Sequence, residues 1–438
     1  MTPEATRPTV AVEPAEPMLD ERIRIRASGL EPGETVTLQV EMAWDETTYA
    51  ASGTFEANEA GVVDPAETAP VDGPYEGVAP MGLFWSMTPA TGPEDPGPLP
   101  ARLRTTVTLR RRGDVAGKAE VVRRSRPTGV SRRSIEAAGL PADLFLPPGE
   151  GPHAGVVVLG GSGGGRPDRA MSWLLAGRGY AVLGPAYFGE AGAPAEELVE
   201  VPVEAVEAAV NWFGERERVQ RAPVAVVGQS RGSELAFLLA GRMDRVRTVV
   251  AVSPAGLAFE GLTSGLRPAG TSAWSVAGTP HAYVPIDRSI RDLAGSVWST
   301  VRGDPIETVG AYLDGLEAAE PAAVEAAELP VELAGGPICL LAGEDDRVLD
   351  AATFARRIRD RLTDAGYEYH VSCETYPEAG HALSVPYLPT TDRATATRGR
   401  FELELGGTPA GYTTADEAAW RRILETLQAI APQEQQTG

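Results

Sequence analysis

Apolar and polar residues alternate with a period of two along the first part of the chain, up to about residue 126. The clearest runs are residues 36–40 and 103–109, in which every second residue is apolar or threonine. Such alternation is typical of strands that bury one face of a sheet. Turn-forming residues separate the runs. The pattern predicts an N-terminal β-sandwich of the immunoglobulin-like type over residues 1–126, with a long loop at residues 88–100 that are rich in proline and glycine.

From about residue 139, short apolar runs alternate with helical patterns. The continuous apolar runs predict buried strands at residues 155–159, 180–183, 224–227, 246–252 and 338–342. Apolar residues at helical spacing follow several of them, for example Phe354, Ile358 and Leu362. Strand–helix alternation is typical of a mostly parallel, doubly wound sheet with helices on both faces. We therefore predict an α/β domain over residues 127–438.

Residues 256–330 interrupt this alternation and are interpreted as an insertion in the α/β domain. Insertions at this place commonly form a lid or a pocket over the site. The aromatic residues of this one are Trp274, Tyr283, Trp298 and Tyr312. They suit an apolar substrate, and they suit equally well the packing of the insertion's own core.

Composition limits the classes of protein. Hydrophobic content is 43% and charged content 23%, as in soluble globular proteins. We find no apolar run near the roughly 18 to 20 residues that span a bilayer, so we expect no membrane span. The formal charge of −22 argues against a nucleic-acid partner. The N-terminus carries no pattern of a secretory signal, and Cys339 and Cys373 are expected as buried thiols, so we expect a cytoplasmic protein.

The most specific chemical signal is the five-residue sequence Gly228-Gln229-Ser230-Arg231-Gly232. It closes an apolar run and opens a helical one. A strand, Gly-x-Ser-x-Gly and a helix together form the nucleophile elbow of an α/β-hydrolase. The turn is so tight that both glycine positions must be nearly free of side chain. Ser230 is therefore predicted as the nucleophile.

A serine nucleophile needs a histidine base and an acid that orients the base, and in α/β-hydrolases these follow in the order Ser, Asp or Glu, His. His381 lies on a loop just beyond a predicted strand, whereas His370 falls inside that strand. We predict His381 as the base. The acid is expected after the strand at residues 338–342, where Asp346 is the first choice and Asp345 the alternative.

Two backbone N–H groups are required to stabilise the oxyanion. One is expected from Arg231, directly after the nucleophile. The second is expected from the glycine-rich loop at residues 160–165, either from Ser162 or from Gly163. A phosphate-binding role of this loop is disfavoured, because it lacks the Gly-Lys-Ser/Thr ending of a P-loop. This mechanism needs no cofactor and no metal ion.

With these residues placed, the chain resembles the family of acyl-CoA thioesterases and bile acid-CoA:amino acid N-acyltransferases. The resemblance covers nearly the whole chain and rests on residues 77–85 of the β-sandwich, residues 144–148, the elbow, residues 343–346 and residues 376–381. It implies an N-terminal domain of the acyl-CoA thioesterase type and a Ser/Cys-His-Asp triad, here Ser230, Asp346 and His381.

The resemblance implies that a small-molecule acyl-CoA is the substrate. The amino acid transferases of the family carry cysteine as nucleophile, so Ser230 favours the thioesterase branch and hydrolysis to fatty acid and CoA. Two alternatives stay open, namely a broader carboxylesterase of the dienelactone hydrolase type and acyl transfer to an amine. Arg166 and Arg169 follow the glycine-rich loop and are either ligands for CoA phosphates or exposed helix residues.

Overall fold

The computed structural model describes residues 7–93, 96–167, 169–287, 304–398 and 401–431. The chain divides into two compact units. The N-terminal unit comprises Met1–Pro127 and Val385–Asp392. The C-terminal unit comprises Thr128–Ser384 and Arg393–Gly438.

The N-terminal unit is built from β-strands and one short helix among its described residues. The strands are β1 Thr9–Glu13, β2 Arg24–Ser28, β3 Thr35–Trp44, β4 Thr47–Glu56, β5 Thr88–Thr91, β6 Arg102–Arg111 and β7 Asp114–Arg124, and the helix is α1 Gly82–Trp85. An antiparallel sheet has the order β5-β4-β3-β6-β7, and β1 pairs with β2. Alternate residues of β3 are buried, as the period of two predicts. The immunoglobulin-like type of the unit stays a prediction.

Strand β5 corrects the expectation of an uninterrupted loop at residues 88–100. It pairs with β4 at the edge of the sheet, and all four of its residues are exposed. A strand with no buried face has no alternating apolar pattern, so β5 could not be predicted from periodicity. Its Pro89 fits an edge strand, where a missing N–H group is tolerated.

The C-terminal unit contains a mixed sheet of eight strands within the described residues. The strands of the whole C-terminal unit, including those of its smaller sheets, are in chain order β8 Ser131–Ala137, β9 Leu140–Leu146, β10 His153–Leu159, β11 Ala181–Pro185, β12 Val201–Pro202, β13 Val219–Gln229, β14 Val246–Val252, β15 Glu260–Thr263, β16 Arg267–Ser272, β17 Trp274–Val276, β18 Thr279–Pro280, β19 Ile338–Gly343, β20 Val371–Tyr376, β21 Thr395–Arg398 and β22 Phe401–Glu404. The large sheet has the order β20-β19-β14-β13-β10-β11-β9-β8. Pairing is parallel from β20 to β11 and antiparallel for β9 and β8. This is the mostly parallel sheet of an α/β-hydrolase-type fold.

Helices accompany this sheet. They are α2 Arg169–Gly177, α3 Val203–Gly214, α4 Arg231–Arg242, α5 Val309–Ala318, α6 Pro321–Ala326, α7 Ala351–Asp364 and α8 Pro409–Leu427, with short 3₁₀ helices at Val331–Leu333 and Gln428–Ile430. Helix α7 buries Phe354, Ile358 and Leu362, which confirms the face predicted from their spacing. The side chain of Asp350 accepts a hydrogen bond from the Thr353 N–H and caps this helix. No described helix has the length and apolar character required to cross a membrane.

Two of the aromatic residues of the insertion, Trp274 and Tyr312, are buried. Trp274 is fully buried, and the ring of Tyr312 meets that of Phe259 edge-on at 4.9 Å between centroids. The hydroxyl of Tyr283 donates to the carbonyl of Gly270. These contacts favour the packing alternative for Trp274 and Tyr312. Trp298 lies outside the described residues.

Candidate active site

Ser230 lies between the end of β13 and the first residue of α4, in a strained backbone conformation. Its φ of 52° and ψ of −122° lie outside the regions that L-residues usually occupy. The Ser230 N–H donates to the carbonyl of Val252 at 2.8 Å, at the end of β14. Strain of this kind persists only where the surrounding structure imposes it, and it is concentrated at functional sites.

The two glycines of the elbow are required by close approaches of the backbone. A Cβ atom on Gly228 would overlap the carbonyl oxygen of Gly232. A Cβ atom on Gly232 would lie 2.7 Å from the carbonyl oxygen of Leu159 and closer still to that of Gly160. The elbow therefore fits against the end of β10 only with glycine at both positions.

Asp346 and His381 form a buried hydrogen-bonded pair. The distance from His381 Nδ1 to Asp346 Oδ2 is 2.7 Å, and the relative exposures of the two residues are 9% and 7% respectively. The other carboxylate oxygen, Oδ1, accepts the N–H groups of Val348 and Leu349 at 2.9 and 3.0 Å. These two donors fix the carboxylate, so that it presents one oxygen to the imidazole.

The other carboxylates of this loop have different partners. Asp345 accepts the N–H of Gly407 and forms an ion pair with Arg347. Glu344 binds Arg356. Of the two acids named from the sequence, Asp346 is thus the one that is hydrogen-bonded to His381, and Asp345 has other partners. His370 lies just before β20 and is exposed, so its expected position inside the strand is wrong.

Both the elbow and the histidine loop are attached to the end of β14. The hydroxyl of Ser253 donates to the carbonyl of His381 at 2.7 Å, next to the residue that accepts the Ser230 N–H. The side-chain amide of Gln229 donates to the carbonyl of Leu383 at 3.4 Å. Ser230 and His381 are therefore held by neighbouring residues of one strand end, and both are buried.

The glycine-rich loop passes directly over the nucleophile. A Cβ atom on Gly161 would lie 3.2 Å from Ser230 Cβ, so the main chain at Gly161 is the part of the loop against the serine. The sequence had named Ser162 and Gly163, which come next and line an adjacent groove. The Tyr187 hydroxyl donates to the carbonyl of Gly160 and fixes the start of the loop.

Arg231 has a buried side chain in addition to the backbone N–H predicted as a donor. Its N–H belongs to the first turn of α4, where N–H groups have no partner within the helix. The guanidinium lies 3.2 Å from Glu234 and donates to the carbonyls of Phe259 and Glu260. Burial raises the pKa of Glu234 to about 7, although Arg231 and the indole N–H of Trp274 act in the opposite direction.

The arginines after the glycine-rich loop are bound to a buried carboxylate. Asp143 on β9 accepts hydrogen bonds from Arg132, Arg166 and Arg169, and its side chain is 2% exposed. Burial alone would raise the pKa of Asp143, but the three arginines lower it below its usual value. Arg166 also binds Glu190. These contacts tie the end of the loop to the sheet, a role that neither sequence alternative for Arg166 and Arg169 included.

Comparison with known proteins gives matches along most of the chain. Residues 20–137 match the family model "Acyl-CoA thioester hydrolase/BAAT N-terminal region", and residues 201–267 and 306–430 match "BAAT / Acyl-CoA thioester hydrolase C terminal". The chain is 29% identical over 422 residues to acyl-coenzyme A amino acid N-acyltransferase 1 of Mus musculus, with 94% of each chain covered. It is 26% identical over 441 residues to acyl-coenzyme A thioesterase 1 of Homo sapiens, with 95% of each covered.

Among solved structures, the chain is similar to the acylaminoacyl peptidase of Pyrococcus horikoshii, with a TM-score of 0.43 and 10% identity over 94% of this chain and 60% of that one. The sequence relatives carry the names of two reactions, thioester hydrolysis and amino acid N-acylation.

Proposed function

Because the chain belongs to the acyl-CoA thioester hydrolase/BAAT family, we propose that it hydrolyses acyl-CoA thioesters to a carboxylic acid and CoA. The observation that carries the proposal is the strained Ser230 elbow together with the buried His381–Asp346 pair, both of which are attached to the end of β14. Family membership supplies the substrate class, and the arrangement of these three residues supplies the reaction type. The relatives' names support acyl-CoA chemistry in general, and the choice of hydrolysis rests on the residues.

The proposed reaction begins with attack of Ser230 Oγ on the thioester carbonyl. His381 takes the serine proton through Nε2, while its Nδ1–H donates to Asp346 at 2.7 Å. The carboxylate fixes the tautomer and stabilises the imidazolium. CoA leaves as a thiol after receiving a proton from His381, and the acyl group remains on the serine as an oxygen ester.

Two backbone N–H groups stabilise the tetrahedral oxyanion in this proposal. One belongs to Arg231, and the other to the glycine-rich loop between Gly161 and Gly163. The position of Gly161 against Ser230 supports this part of the loop. Each donor of this kind contributes about 3 to 4 kcal/mol of transition-state stabilisation in enzymes where it has been removed.

Water is the proposed acyl acceptor because the nucleophile is serine. An acyl-serine is an oxygen ester, which water activated by His381 can resolve. An acyl-cysteine would keep the reactivity of a thioester toward amines. The name of the mouse relative gives acyl transfer to an amino acid as the second candidate function.

A product assay separates these two candidates. Acyl-CoA esters of increasing chain length are incubated with the enzyme, in the presence and absence of glycine and taurine, and the acids and amides are quantified by mass spectrometry. Hydrolysis predicts free acid as the main product at every amine concentration. An excess of amide over free acid would contradict it.

The broader carboxylesterase is tested by comparing kcat/KM for an acyl-CoA with that for the p-nitrophenyl ester of the same acid. The proposal predicts a preference for the thioester. A clear preference for the ester would overturn it.

The finer domain description, an immunoglobulin-like sandwich at residues 1–126 and a catalytic domain at 127–438, belongs to the same proposal, and the strand order of an experimental structure tests it.

A further inference from the structure

A groove with a volume of about 570 Å³ begins at the glycine-rich loop of the C-terminal unit. One wall is formed by the loop itself and by the residues after β11, and the opposite wall by the β15–β16 hairpin. Its lining residues include Ser162, Phe188, Leu198, Leu262, Thr263 and Leu266. Pockets for small molecules commonly have volumes of roughly 300 to 1,000 Å³ and mainly apolar walls.

The groove shares the glycine-rich loop with the candidate active site. Ser162 and Gly163 line it, and they directly follow Gly161, whose main chain lies against Ser230. When the carbonyl oxygen of a substrate is bound by this loop, the reacting carbon lies close to the loop residues that line the groove.

Hydrogen bonds hold both walls in place. The Gly165 N–H donates to the carbonyl of Phe188 at 2.8 Å, and the Leu262 N–H donates to that of Leu198 at 2.9 Å. The carboxylate of Glu197 accepts hydrogen bonds from the N–H and the hydroxyl of Ser264 at 2.6 and 2.8 Å, and so attaches the turn of the hairpin to the segment that contains Glu197. The groove is thus part of the folded structure and does not depend on a bound ligand for its walls.

The charge of the groove indicates which end of an acyl-CoA, the CoA phosphates or the acyl chain, it can bind. Among the described residues that line the groove, the carboxylates Glu196 and Glu197 outnumber the cationic side chain of Arg267. The phosphates of CoA are strongly anionic, so two carboxylates in the wall disfavour them. The apolar side chains Phe188 and Leu262 suit a hydrocarbon chain instead.

We propose that this groove receives the acyl chain of the thioester and that Thr263 and Leu266 on the hairpin determine the chain length accepted. The inference rests on the proposed function. All three residues line the groove, but Leu262 is nearly buried, whereas Thr263 and Leu266 are half-buried and expose more of their surface. Each methylene that enters an apolar site raises kcat/KM by about fourfold, until the groove is full.

Two variants of the hairpin change the groove in opposite directions. Thr263→Trp adds bulk to its wall, and it is expected to lower kcat/KM for long acyl-CoA esters by at least about tenfold while leaving acetyl-CoA or butyryl-CoA within about threefold. Leu266→Gly removes a side chain at a residue with φ of 58°, a conformation that glycine adopts without steric strain. It is expected to shift the optimum to longer chains. Thr279→Trp is the matched control, because Thr279 is an exposed strand residue of the same insertion.

The chain-length profile decides the proposal. Opposite shifts in the two hairpin variants, with the control unchanged, support it. An equal loss of kcat/KM at every chain length in Thr263→Trp would indicate that the CoA part of the substrate occupies the groove, and would overturn the proposal. Chain-length profiles that are the same in all variants would also overturn it. The proposed function fails separately, when the wild-type enzyme hydrolyses no acyl-CoA of any length.

Discussion

Replacement of Asp346 by asparagine tests the orientation of the histidine. The N–H groups of Val348 and Leu349 both donate to Oδ1, so the single oxygen of an asparagine must stay there. Its NH₂ group then faces His381 Nδ1, and an NH₂ group can only donate. Nδ1 must therefore be unprotonated, and Nε2 must carry the proton. In that tautomer His381 cannot take the proton of Ser230.

The size of the effect follows from the loss of the base. The same change of tautomer in serine proteases lowers kcat by about 10⁴-fold, which corresponds to about 5.4 kcal/mol. Stability should change little, because asparagine has the same shape and keeps both backbone hydrogen bonds. We expect the midpoint of thermal unfolding to fall by no more than about 2 °C, equivalent to about 1 kcal/mol in a unit of this size.

The assay is the steady-state rate of CoA release, measured beside thermal unfolding of the same preparation. Asp345→Asn is the matched control on the same loop. The ion pair that it breaks, between Asp345 and Arg347, is half-exposed and contributes at most about 1 kcal/mol. The reasoning is refuted when Asp346→Asn keeps more than about a tenth of the wild-type kcat, or when the control loses as much.

Three further changes test other parts of the site. Gly232→Ala should give little folded, active protein, since its Cβ atom would overlap the carbonyl of Gly160; circular dichroism and CoA release measure this, and a fully active variant would refute the close approach. Asp143→Asn should lower kcat by about 10 to 100-fold with little change in KM, because displacing the oxyanion loop impairs the transition state; an unchanged kcat would contradict it. Burial raises the pKa of Glu234 in the folded protein from its ordinary value of about 4.5 to about 7, so its contribution makes stability fall as pH rises between these values. Glu234→Gln should remove this contribution to the pH dependence of the free energy of unfolding. If the free energies of unfolding of the two proteins change in parallel across pH 5 to 8, the prediction is wrong.

The sequence predicted the parts of the site that depend on periodicity and on backbone space. The α/β strands follow from continuous apolar runs, and the elbow follows from glycines that the structure shows to be in contact with neighbouring main chain. The sequence analysis preferred Asp346 to Asp345, but the reason for the difference lies in the fold, where Asp346 reaches His381 and Asp345 binds Arg347.

Other features left no signal along the chain. Asp143 lies in a strand with a mainly apolar sequence, and its three arginines come from two other segments, β8 and the residues after the glycine-rich loop, so only the fold brings them together. Strand β5 is exposed on both faces and has no apolar pattern. The same holds for the groove, whose walls are joined by hydrogen bonds between residues distant in sequence.

The central claim is that Ser230 performs nucleophilic attack on an acyl-CoA thioester. It is tested most directly by the rate of CoA release from a long-chain acyl-CoA, measured for the wild-type enzyme and for Ser230→Ala, with Ser52→Ala as a control at an exposed serine of β4. If Ser230 is the nucleophile, Ser230→Ala lowers kcat by at least about 10⁴-fold and the control leaves it unchanged. A Ser230→Ala enzyme that releases CoA within about tenfold of the wild-type rate would contradict it.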